Sequence, residues 1–147
     1  MKLRHLTIST LALILMTGCG DDDGMGTDPD DIAGTWTATS MLFTEKAAPN
    51  LTVDLVVDEG AVLTLVLSED ETYAFSFVLD PEDESEVGTY TTTSTSITIT
   101  PVTPAGDAET FGLVRDEDVM TLTDTDEMFD FGTGDEPATL VITLTRP

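Results

Sequence analysis

The sequence predicts an all-β fold, an antiparallel sandwich or barrel, and three observations carry that expectation. From Ile32 onward, apolar and polar residues alternate, which is the period of a half-buried strand and not that of a helix. Threonine fills much of the polar side, as a β-branched residue suits a pleated, half-exposed surface. Short acidic, glycine- or proline-bearing clusters break the alternation at a spacing of about 8–12 residues, the rhythm of a sandwich or barrel.

The elements follow in order. A first strand lies within "DIAGTWTATSMLF". "NLTVDLVVDEG", Asn50 to Gly60, reads either as a strand or as one helical turn plus an extended stretch; Pro49 before it and Gly60 after it fit both. Leu63, Leu65 and Leu67 then share one strand face, with Thr64 and Val66 on the other. After the turn "SEDE", Tyr73, Phe75, Phe77 and Leu79 alternate with Thr72, Ala74, Ser76 and Val78. "SITIT", "MTLT" and "ATLVITLTR" repeat the pattern. The separators are Asp58 to Gly60, Asp80 to Glu86, Pro104 to Asp107, Arg115 to Asp118 and Gly132 to Pro137. No long stretch has the helical period.

The start of the chain is different. Lys2 and Arg4 precede the apolar run "LTISTLALILM", Leu6 to Met16, too short for the roughly 20 residues that cross a bilayer. A basic start, a short apolar centre and small residues at its end describe a secretory signal peptide over residues 1–18. Cys19, the only cysteine, follows at once. A lone thiol cannot form an internal disulfide, and an unpaired cysteine in an exported chain implies a use. The end of the leader, Met16-Thr17-Gly18-Cys19, resembles the lipobox of bacterial lipoproteins, with Met16 where leucine is usual. That resemblance implies cleavage before Cys19, a lipid on its sulfur and an acylated new amine. Two or more acyl chains hold a protein stably on a membrane. It also implies the outer membrane in preference to the inner, because Gly20 and not aspartate follows the cysteine.

Without residues 1–18, Lys46, Arg115 and Arg146 face 29 acids, a net charge of −26. Nucleic acid is excluded as a partner, since its phosphates require cations. A basic patch for anionic lipid headgroups is missing too. "GDDDGMGTDPDD", Gly20 to Asp31, has almost nothing apolar to bury and reads as a disordered tether after the lipidated cysteine. Such a coil would hold the rest roughly 20 Å from a membrane. The 116 residues from Ile32 to Pro147 are enough for one domain with a single core.

The triplet Gly34-Thr35-Trp36 early in the first strand looks like the G-x-W of lipocalins. The later order "LTLVLSEDETYAFSF", "SEVGTYTTTSTSITIT", "DEDVMTLTD", "ATLVITLTRP" resembles the small lipocalin-like domains of bacterial lipoproteins. The resemblance implies an antiparallel up-and-down barrel of about eight strands over residues 32–147. It also implies packing of Gly34, Trp36 and Arg146 at one barrel end, with the Arg146 guanidinium across the Trp36 face as a cation–π contact. Arg115 fits that role less well, because "VRDEDV" reads as a hairpin turn.

Chemistry-bearing motifs are few. The only histidine, His5, leaves with the leader, so a nucleophilic triad lacks its usual base and zinc its usual ligands. No glycine-rich phosphate loop occurs, and no enzymatic activity or cofactor is expected. Calcium is the remaining option, because it takes six to eight oxygens at close loop spacing. "DTDEMFDFGTGDE" offers Asp124, Asp126, Asp130, Asp135 and Glu136, but the order is not that of an EF-hand and the expected reading is a solvated acidic turn. Two functions are carried forward: a lipid-anchored barrel that binds a small hydrophobic ligand without catalysis, and a packed structural or protein-interaction module of the envelope.

Overall fold

The computed structural model describes residues 32–146. The expected leader over residues 1–18, the expected lipid anchor Cys19 and the expected acidic tether lie outside the described residues. Nine strands make up the described chain: β1 Gly34–Glu45, β2 Thr52–Asp54, β3 Val62–Leu67, β4 Thr72–Leu79, β5 Glu82–Thr92, β6 Ser96–Thr103, β7 Glu109–Asp116, β8 Val119–Asp130 and β9 Asp135–Thr145. Each pairs antiparallel with its neighbour along a single sheet. The long β1 decides between sandwich and barrel. Its first residues pair with β3, from Gly34 opposite Leu67 to Thr37 opposite Thr64. On its other edge it pairs with β9, from Thr37 opposite Thr145 to Glu45 opposite Ala138. The sheet therefore closes into an eight-stranded up-and-down barrel of β1 and β3–β9, with β2 as a short extra strand beside Leu42–Thr44.

The alternation seen in the sequence becomes an inside and an outside. Trp36 and Ala38, then Leu63, Leu65 and Leu67, then Tyr73 and Phe77, point into a core completed by Ile97, Phe111, Leu113, Met120, Leu122, Leu140, Ile142 and Leu144. Full burial of such a side chain contributes about 1.5–3 kcal/mol, and with no disulfide this packing holds the domain together. Threonines and most of the acids take the outside, so each strand carries both the core and the solvated surface.

The ambiguous stretch Asn50 to Gly60 contains both alternatives in sequence. Thr52–Asp54 is extended, and Asp54 then caps a single turn. Its Oδ1 accepts from the amides of Met41, Val56 and Val57 at 3.0, 3.0 and 3.1 Å, and the Ser40 hydroxyl donates to Oδ2. The Asp58 amide donates to the Asp54 carbonyl, while the Asp58 carboxylate accepts from the Asp54 amide. Partial burial works against the Asp54 charge, but these donors outweigh it and hold the carboxyl below its ordinary range. The capped turn places Leu55, 2 % exposed, in the core.

One separator needs correction. Asp80 to Glu86 reads as a turn because of its five acids and proline, yet Glu82–Glu86 belongs to β5, paired with Leu79 back to Phe75 on β4. Only Asp80 and Pro81 make the hairpin turn. Asp83 and Glu84 stay exposed there because this part of β5 borders β4 alone, while Glu82 and Glu86 are half-buried.

Candidate functional site

The two ends of the barrel have different chemistry. At the end where β1 and β8 begin and β9 finishes, side chains fill the space: Ile32, Trp36, Tyr90, Ile97, Met120 and Leu144 are all 0–1 % exposed. The Trp36 indole N–H donates to the Ile32 carbonyl at 2.8 Å. The Arg146 guanidinium stands 5.0 Å from the centre of the Trp36 ring. It is held by Nε–H to the Asp118 carboxylate at 3.1 Å and by Nη1 to the Ala33 carbonyl at 3.4 Å. Gly34, at a φ of 147°, lets the chain enter β1 beneath the Arg146 side chain, a backbone angle that L residues rarely adopt. Arg115 instead turns its Nε–H to the Glu117 carbonyl on its own hairpin. This end is a plug.

The opposite end is where β1 and β8 finish and β5 and β7 begin. There the interior side chains Met41, Phe75, Leu79, Ile99 and Phe131 are only partly buried. Phe43 and Phe129 stack at 4.1 Å, and Phe131 meets Phe129 edge-on at 4.9 Å. Among these rings the register places carboxylates. Glu86 stands opposite Phe75, Glu109 opposite Ile99, Glu127 opposite Ala138 and Asp124 opposite Leu140. Cross-strand partners share a face, so all four acids line the interior. A bulge between Asp124 and Glu127 brings both acids of β8 to that face. The Tyr73 hydroxyl donates to Glu86, and burial, then that bond and the charge of Glu86, push the phenol up from its ordinary value.

Two of these carboxylates, Glu109 and Glu127, resist ionisation. Burial, then the charges of Glu127, Glu86 and Asp124, pushes Glu109 up to about 7. Burial and then Asp124 raise Glu127 in the same direction. A carboxyl whose folded pKa exceeds its ordinary 4.5 stabilises the fold below that ordinary value, and the contribution disappears as pH rises through about 7. The barrel is thus expected to lose stability between pH 5 and pH 8. Glu109→Gln should recover about 1–2 kcal/mol at pH 8, after allowance for solvent screening of a half-buried group, and change little at pH 5. Urea unfolding of both proteins at the two pH values measures this; an unchanged pH dependence in the variant would contradict it.

The acids singled out as calcium candidates spread along a hairpin. Asp124 accepts the Asp126 amide at 2.7 Å beside the bulge, and Asp126 meets Lys46 at 3.4 Å on the surface. Asp130 accepts the amides of Gly132 and Gly134 at 2.7 and 3.0 Å, which stabilise its charge and hold its carboxyl below the ordinary range. Asp135 and Glu136 open β9 opposite Asp130 and Phe129. Among the described residues, no three acid, histidine or cysteine side chains gather as a metal-holding group.

Residues that the sequence reading missed are Glu86, Glu109 and Glu127. Phase was the available signal. Glu109 falls two residues before Phe111 and Glu127 two before Phe129, so each shares the inward parity of a core aromatic. A comparison of the chain with protein-family models, curated proteins and solved structures gives no match.

Proposed function

We propose that this chain is a lipid-anchored bacterial envelope protein with a lipocalin-like barrel, which takes a small hydrophobic ligand carrying a positive group at its open end, without catalysis. The observation that supports the reading is the asymmetry of the interior. One end is plugged by Trp36 and its neighbours, while the other presents partly buried Phe75, Leu79 and Phe131 beside inward-facing Glu86, Glu109 and Glu127. Apolar walls with a few convergent polar groups are the usual composition of a small-molecule site. A cation would offset the mutual repulsion of the acids.

Calorimetric titration with dodecylammonium, dodecanol and dodecanoate tests the site. The expected order of affinity is ammonium, then alcohol, then carboxylate, and Glu109→Gln should bring the first two together. The second reading, a structural or interaction module of the envelope, is favoured by the apolar packing that fills the opposite end. Absence of saturable binding by all three ligands would decide for it. The anchor has its own test: Cys19→Ser should block palmitate incorporation and leave uncleaved precursor, and label entering the variant would overturn the anchor. Fractionation should find the mature protein with the outer membrane.

A further inference from the structure

We propose that the first half of β5, Glu82–Glu86, is a docking edge for an extended basic segment of another protein, which adds there as one more strand. The proposal rests on the backbone edge of β5 and shares only Glu86 with the ligand site proposed above. β5 pairs with β4 along its length, from Glu82 opposite Leu79 to Thr89 opposite Thr72. On its other edge β6 covers it only from Val87 to Thr92. Beyond that point β6 leaves the ladder, with Val102 bridged back to Ala105. Among the described residues, Glu82–Glu86 therefore has one neighbouring strand and one open edge.

The direction of the free groups follows from one hydrogen bond. The Tyr90 amide donates to the Glu71 carbonyl, on the β4 side. Backbone groups alternate along a strand, so the even residues of β5 face β4 and the odd ones face away. Thr93, an odd residue, donates to Ser96 across the β5–β6 turn, which fits that parity. Asp83 and Ser85 thus hold their amides and carbonyls toward the open edge, and both are exposed. Two donors and two acceptors in strand geometry form the template used in β-strand addition.

Charge selects the occupant. Glu82, Glu84 and Glu86 lie on one face of this edge and Asp83 on the other, with no lysine or arginine anywhere on β4, β5 or β6. A second copy would bring the same acids into register with these, at the strand separation of about 4.8 Å. The chain's own "GDDDGMGTDPDD" is equally unsuited, having no cation. Like charges directly opposite are destabilising and opposite charges favourable. A segment with lysine or arginine at alternate positions meets both requirements, laying its cations over Glu84 and Glu86 while its backbone pairs with Asp83 and Ser85.

The test uses the full chain, isotopically labelled, titrated with acetyl-(Lys-Val)₃-amide. Amide shifts at Asp83 and Ser85 are expected to saturate and to weaken with added salt. The same peptide N-methylated at alternate residues keeps its charge but cannot pair, and should bind at least ten-fold more weakly. The corresponding (Glu-Val)₃ peptide should not bind. Ser85→Pro removes an edge amide that β4 does not use, and proline is tolerated on edges, so it too should lower affinity at least ten-fold. Equal binding of the parent and N-methylated peptides, shifts confined to the barrel interior, or no binding would each overturn the proposal.

Discussion

Trp36→Ala is expected to lower the unfolding free energy by about 3–5 kcal/mol, the range for deleting a buried large aromatic, and so to remove much of the stability of a domain this size. Three losses coincide at that site. The ring is fully buried, so its removal leaves a void at the plugged end. The Ile32 carbonyl loses its 2.8 Å donor, and the Arg146 guanidinium loses the face it covers. Trp36→Phe separates the contributions: it keeps most of the apolar contact and forfeits the N–H, at about 1–2 kcal/mol. Chemical unfolding followed by circular dichroism reads both variants. A loss under 1 kcal/mol for Trp36→Ala would show that this end is not the principal anchor of the core.

Gly88→Ala should be nearly as damaging, at about 3 kcal/mol, the upper part of the usual overpacking cost. A Cβ at this position would sit 2.1 Å from the Thr100 carbonyl oxygen, 3.0 Å from Pro101 Cα and 2.8 Å from Tyr73 Cε1. The first two are backbone atoms of the paired strand, so relief requires β5 and β6 to part. The third belongs to the ring that crosses this glycine to place its hydroxyl on Glu86. Gly112→Ala provides the comparison, because a Cβ there meets its nearest atom, the Thr123 carbonyl oxygen, at 3.6 Å, ordinary contact. That variant should stay within about 0.5 kcal/mol of the parent. Equal effects from the two substitutions would remove steric crowding as the cause.

The strands were legible because each has a core face and a solvated face, and that division writes itself as period two. Leu63-Leu65-Leu67 and Tyr73-Phe75-Phe77 needed nothing else. Closure into a barrel was not written in that way: an alternating pattern marks which face is buried and is silent on which strand lies beside β1. The lipocalin-like order supplied the expectation of about eight strands, and the β1–β9 ladder supplies the fact. Glu82–Glu86 reads as a turn because acidic density resembles loop composition, whereas a strand with one open edge can keep Asp83 and Glu84 in water. The interior carboxylates were hidden by number. With 29 acids in the chain, three of them at core parity draw no notice, and the bulge at Asp124–Glu127 breaks the parity with Met120 and Leu122, leaving Phe129 alone to mark Glu127.

The ladder between β1 and β9 also orders events in time. Thr37 and Thr145 are neighbours across that ladder, although nearly the whole domain lies between them in the chain. A hairpin such as β3–β4 can pair as soon as it emerges from a ribosome or a membrane pore. The barrel wall cannot close until the final strand has followed all the others. Contacts between distant positions carry a loop-closure cost and make folding slow. Until β9 arrives, β1 and β8 keep bare edges, the places where unfinished sheets join one another. The chain spends its vulnerable interval with its first strand waiting for its last.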